Sequence, residues 1–155
     1  MSIFKQIVFA VLSLLLFCCA ATGPRFDGKT KLEPNTAEIV VYRPDSFANG
    51  GKSFYIHLDG KEVATLKNAG FVSLRTIPGT HKLEIKSFAL DFAFKTITSE
   101  LVLDESECKY FRFRSDLRGN VVVTPYAATI PVALNFSSVP EDQAIKELQQ
   151  LRKSE

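Results

Sequence analysis

The chain has 155 residues, 46% hydrophobic, 23% charged and 11% aromatic, a balance that suits one globular domain and excludes collagen-like, low-complexity and wholly disordered chains. Its 19 Lys and Arg against 17 Asp and Glu leave a formal +2, without the dense positive footprint of a nucleic-acid binder. With 3 Cys and 2 His there is neither a disulfide framework nor a zinc module, so the sequence implies no metal and no cofactor.

The first element is a leader. From Gln6 to Pro24 no side chain is charged, Ile7 to Phe17 is almost wholly apolar, and Lys5 with the terminal amine precedes the run. About 11 apolar residues fall short of the ~20 that cross a bilayer as a helix, and small residues follow, which is the pattern of a secretory signal. Leu16-Phe17-Cys18-Cys19 resembles the bacterial lipobox. Cys19 has Leu three positions before it, whereas Cys18 would follow the bulky Phe17. The resemblance implies a signal peptide over 1–18 and a lipidated Cys19 bearing diacylglycerol and a palmitate-type acyl group. Ala20 in the next position resembles lipoproteins sorted to an outer membrane, so the expected location is the periplasmic face of that membrane. Each buried methylene contributes roughly 0.8 kcal/mol, and several acyl chains anchor firmly where one does not. Two simpler readings stand beside this one: cleavage after Ala20 or Ala21 to give a soluble secreted or periplasmic protein, and an uncleaved anchor.

Residues 19–36, the lipidated Cys and a stretch of Gly, Pro, Asn and charge without an apolar period, read as a flexible tether. A β-sandwich is expected over 37–137. Ala37 to Arg43 is a strand stopped by Pro44-Asp45, and Asn49-Gly50-Gly51 is a turn. Ser53 to Asp59 alternates, with Phe54, Ile56 and Leu58 on one face. Asp59-Gly60 predicts a type I′ hairpin into Lys61 to Lys67, and Asn68-Ala69-Gly70 turns the chain into Phe71 to Ile77. Pro78-Gly79 leads to His81, Leu83 and Ile85 on one face. Strands follow at Lys95 to Leu103, Cys108 to Ser115, Val121 to Tyr126 and Ile130 to Phe136. Strands this close together, with no helix between them, favour an antiparallel sandwich over a βαβ plan. At 138–155, Ser138-Val139-Pro140-Glu141 reads as a capping box before a helix of three to four turns, with Ala144, Ile145, Leu148 and Leu151 as its apolar stripe.

The motifs Tyr42-Arg43-Pro44, Phe54 to Val63, Leu66 to Phe71 and Ile77 to Leu83 resemble a family of small bacterial lipoproteins classed as a domain of unknown function. In pattern they are similar to PEGA-type, Ig-like β-sandwich modules, which also place Asp-Gly-Lys in a hairpin. The resemblance implies an all-β antiparallel sandwich with one C-terminal helix and supplies no catalytic residues.

Four features bear on function. His57 and Asp59, with His81, are the candidates for a hydrolase or small-ligand enzyme, although no nucleophile or phosphate loop accompanies them. Lys109, Arg112, Arg114 and Arg118 crowd one hairpin as a candidate anionic contact. Phe88, Leu90, Phe92 and Phe94 alternate as one apolar face, which reads either as core or as a hairpin that meets a partner or dips into a membrane. Lone Cys108 is expected to be a buried, inert thiol. The preferred reading is a non-catalytic, membrane-anchored module of the cell envelope, with an envelope protein or polysaccharide as partner and no nucleic acid.

Overall fold

The computed structural model describes residues 20–28, 31–92, 94–119, 122–123, 128–129 and 131–155. The expected signal peptide at 1–18 and the expected lipidation site Cys19 lie outside the described residues. Two sheets pack face to face. In one, β3 (Lys61–Leu66), β2 (Phe54–Leu58), β5 (Gly79–Lys86) and β6 (Ile97–Leu103) run antiparallel in that spatial order. In the other the order is β10 (Val132–Val139), β7 (Cys108–Leu117), β1 (Ala37–Arg43), β4 (Gly70–Thr76) and β11 (Arg152–Lys153). A short hairpin, β8 (Val122–Val123) with β9 (Ala128–Thr129), lies between β7 and β10 in the chain. The protein is thus an all-β sandwich with one short helix, α1 (Glu141–Leu148). Most pairings are antiparallel; β1 with β7 and β4 with β11 are parallel.

Strand β1 explains the layering. All seven of its residues are buried, because Ile39 and Val41 face the space between the sheets while Val40 and Tyr42 face the opposite side. A strand covered on both faces has no reason to alternate, hence the unbroken Ile39-Val40-Val41-Tyr42 run. The inter-sheet core gathers Ile39, Val41, Phe54, Ile56, Leu83, Ile85, Phe111 and Phe113, with the rings of Phe54 and Phe113 edge to face at 4.7 Å. A second core joins Val40, Tyr42, Phe71 and Tyr110 to Ala144 and Leu148 of α1 and to Leu151. Glu147 of α1 locks that layer, accepting hydrogen bonds from Tyr42 Oη at 3.0 Å, Arg112 Nη1 at 2.7 Å and Gln143 Nε2 at 3.0 Å.

Four expectations change. The helix covers eight residues rather than three to four turns, because Leu151 packs from an extended segment and Ser154 N donates to Phe71 O, making β11 an added edge strand. No capping box forms; Ser138 belongs to β10, and Pro140 caps α1 without a side-chain hydrogen bond. The tether is not free over 20–28: Ala20 bridges Asn68, Arg25 bridges Arg152, and the Phe26 ring meets Phe71 edge to face at 5.5 Å. Gly70 permits this, since a Cβ there would fall 2.4 Å from Ser154 Oγ and 2.8 Å from the Cβ of Ala21. Finally, residues 87–96 form the β5–β6 connection and not a strand.

Candidate functional site

The strand registers Arg43 with Gly70, Phe54 with Leu66, Ile85 with Ile97 and Val132 with Leu117 bring the long connections to one end of the sandwich. That loop end carries 44–53, 67–69, 87–96 and the connection containing β8 and β9. The opposite, hairpin end carries the tight turns at 59–60, 77–78 and 104–107. At the loop end Phe47 is 94% exposed, Leu90 73% and Phe92 88%, with Phe88, Leu117 and Val132 also exposed. These exposed apolar side chains make the loop end the candidate contact surface.

Buried polar residues set those loops in place. Arg43 is fully buried, lies over the Phe54 ring at 5.0 Å, and donates 2.7 Å hydrogen bonds to the carbonyls of Lys52 and Asn49. Its planar fork is what lets one side chain hold two carbonyls of the same loop. Burial lowers its pKa to about 10, still charged at neutral pH. Asn68 knots three segments: its backbone O accepts from Ala21 N at 3.0 Å, its Oδ1 from Ser46 N at 3.2 Å, and its Nδ2 donates to Asp45 Oδ1 at 2.6 Å. Lys52 Nζ and Asp91 Oδ2, 3.0 Å apart, join the 44–53 loop to the 87–96 loop. Between them a cleft of about 270 Å³ is lined by Asn49, Lys52, Phe94 and Val132, among others.

The 88–94 segment therefore resolves in two ways. Phe88, Leu90 and Phe92 are exposed, whereas Phe94 turns inward against Phe54 at 5.2 Å and packs, half-buried, against the core. Phe47, Arg43 and Asn68 were not singled out from sequence as site residues. The available signal was a large aromatic inside Pro44-Asp45-Ser46-Phe47-Ala48-Asn49-Gly50-Gly51, where turn residues leave it nothing to pack on.

The basic candidates do not form one patch. Lys109 lies near the hairpin end beside Glu107, 3.4 Å away, and Arg112 is committed to Glu147 of α1. Arg114 pairs with Asp116 at 3.3 Å, and Arg118 is exposed at the loop end. A ten-residue strand separates what proximity in sequence had grouped.

Of the hydrolase candidates, Asp59 and His81 meet and His57 stands apart. His57 is opposite Glu84 on the outer face of its sheet, while His81 is in phase with buried Leu83 and Ile85. The buried His81 ring has Asp59 Oδ2 2.8 Å from Nδ1 and Ile77 O 2.8 Å from Nε2. Two acceptors on the two ring nitrogens favour the doubly protonated imidazolium, so the pKa rises, first through the bond to Asp59. Asp59 is correspondingly lowered, first by the backbone N–H of Lys82 and then by His81. Nδ1 ties the start of β5 to the 59–60 turn and Nε2 ties it to Ile77 in the preceding turn, so both ring nitrogens are engaged within the fold.

A groove of about 470 Å³ runs between residues 24–28 and the second face of the five-stranded sheet, lined by Glu38, Ser73, Arg75 and Tyr110 among others. Ser73 Oγ donates to Glu38, and Cys108 Sγ lies 3.7 Å from Glu38 Oε2. Burial pushes the Cys108 thiol up to about 11, so it stays protonated at neutral pH. Among the described residues no helix is long and apolar enough to cross a membrane. No protein-family model matches the chain, and no curated protein is similar to it.

Proposed function

We propose that the chain is a membrane-anchored protein of the bacterial cell envelope, tied through a lipidated Cys19 to the periplasmic face of the outer membrane. Its β-sandwich is a non-catalytic contact module, and the family proposed for it is that of small lipoproteins with a PEGA-like sandwich. Its partner is an envelope component. The observation that carries the reading is the junction of leader and body. Ala20 and Ala21, which directly follow the lipobox-like Leu16-Phe17-Cys18-Cys19, are hydrogen-bonded into the same end of the sandwich that exposes Phe47, Leu90 and Phe92. An anchor and a contact surface at one end are what a membrane-bound module requires. The basic residues add no competing centre, since Arg112 and Arg114 are taken up by ion pairs within the fold.

Mass spectrometry of the amino terminus of the protein isolated from its native host tests this. A mature chain beginning at acylated Cys19 and recovered with membranes is expected. An unmodified terminus at Ala21 or Thr22, in a protein recovered from the soluble fraction, would overturn the reading.

A further inference from the structure

Resting on the membrane reading above, we propose that the loop end is a lipid-contact surface. Phe47, Leu90 and Phe92 enter the interfacial layer of the bilayer to which the chain is tied, and they hold the sandwich end-on to it.

The first argument is where the chain outside the described residues comes in. Nineteen residues, 1–19, precede Ala20, and they include the apolar run and Cys19. Ala21 N is bonded to Asn68 O, so no slack separates the entry point from the body. One residue spans at most ~3.6 Å, and so a bilayer that holds Cys19 lies against this end of the domain. The same follows whether the anchor is acyl chains or the apolar run itself.

The second argument is presentation. Phe47 and Phe92 stand on different loops, each almost fully in water, yet Arg43 and the Lys52–Asp91 pair fix those loops to the body and to one another. Fixed loops lose little further entropy when their tips are buried. Separate apolar tips suit a fluid medium, which closes around each one. A protein partner would need a continuous complementary surface.

The third argument is charge. The loops at this end, 44–53, 67–69, 87–96 and 118–131, hold Lys52, Lys67, Lys95 and Arg118 against Asp45 and Asp91. The turns at the hairpin end, 59–60, 77–78 and 104–107, hold Asp59, Asp104, Glu105 and Glu107 and no Lys or Arg. Lys109 beside Glu107 and His81 against Asp59 offset part of the acidic charge at the second end, so anionic headgroups favour the first end over the second.

The chain contains no Trp, so single Trp reporters read depth without background. The full chain, purified in detergent, is reconstituted into phosphatidylethanolamine and phosphatidylglycerol vesicles with brominated acyl chains. F47W and F92W are the reporters, and I77W, at a position 64% exposed at the hairpin end, is the control. Blue-shifted emission and strong bromine quenching are expected for F47W and F92W, whose rings would sit about 5–10 Å into the boundary layer, and neither effect is expected for I77W. Vesicle-bound protein in which F47W and F92W are quenched no more than I77W would overturn the contact and leave the anchor standing. Quenching retained by a protein whose Cys19 proves unmodified would support the contact and remove the lipid anchor. Failure of the full chain to float with vesicles would overturn both.

Discussion

The two ends of this sandwich are built on opposite principles. At the hairpin end the turns are short, and the Asp59–His81 contact ties one of them to its neighbouring strand. Asp59 and Gly60 both have positive φ, 51° and 82°, as the type I′ turn requires. At the loop end the connections are long, their order comes from buried Arg43 and Asn68, and their tips are apolar. Chain reversal alone is cheap and needs only turn residues. Displaying aromatic side chains to solvent needs a rigid polar frame beneath them.

Several measurements break or sharpen this contrast. The largest effect is expected from Phe113→Ala, in the core that both ends share. Truncating a fully buried aromatic costs about 3–5 kcal/mol, to be read from denaturant unfolding, and protection from amide exchange should fall at both ends alike. Arg43→Met should cost about 2–3 kcal/mol, since the carbonyls of Lys52 and Asn49 lose their donor inside the fold. Exchange protection should fall over 44–53 while the 59–60 turn keeps its own. Arg43→Lys should rescue little, because an ammonium lacks the fork that spans two carbonyls.

Gly70→Ala should act on the entry of the chain. The added methyl would collide with Ala21 and Ser154, and a cost of about 1–3 kcal/mol is expected, with proteolytic cleavage appearing within 20–28. Survival of that segment under protease would show that the junction accommodates the methyl.

The hairpin end should respond to pH. His81 has a folded-state pKa above the ordinary 6.5, so its stabilisation is complete below 6.5 and fades as pH rises through the raised value. Asp59 lies below its ordinary 3.8, so its share is complete above 3.8 and fades as pH falls through the lowered value. The Asp59–His81 contact therefore contributes most between those two ordinary values. Thermal unfolding of the parent should show a small excess stability there that is absent from His81→Gln. An unchanged profile in that variant would mean that the imidazolium adds nothing.

The smallest effect on stability belongs to Phe92→Ser. The side chain is 88% exposed, and a change within about 0.5 kcal/mol is expected by denaturant titration. A large loss would place the ring against a surface inside the molecule and so count against the loop end as a contact surface.

Much of the hairpin end was legible in the amino-acid order. Asp59-Gly60 announces a turn by the φ values it tolerates, and the alternation of His81, Leu83 and Ile85 announces a buried face. The loop end was far less so. Phe88 to Phe94 alternates as a strand does, yet among its large residues Phe94 alone turns into the core, because β5 has already ended at Lys86 and β6 begins only at Ile97. Alternation reports a period of two and says nothing of whether a neighbouring strand stands alongside to be paired. The stretch after Cys19 looked free for a similar reason: its Gly, Pro and polar residues carry no period, but its backbone finds partners on Asn68 and Lys153.

Local order in the chain determined the strands, the tight turns and the all-β class, since these depend on backbone preferences and on which side chains share a face over a few residues. Tertiary structure decided the rest. Cys108 and Glu38 became neighbours, Arg43 became the buried frame of a loop, Arg112 was claimed by α1, and the chain's entry came to share Asn68 with Ser46. Each of those outcomes rests on a hydrogen bond or a burial that matches residues distant in sequence, or on a side chain reaching backbone that no periodicity marks, and only the folded packing of one element on another selects them.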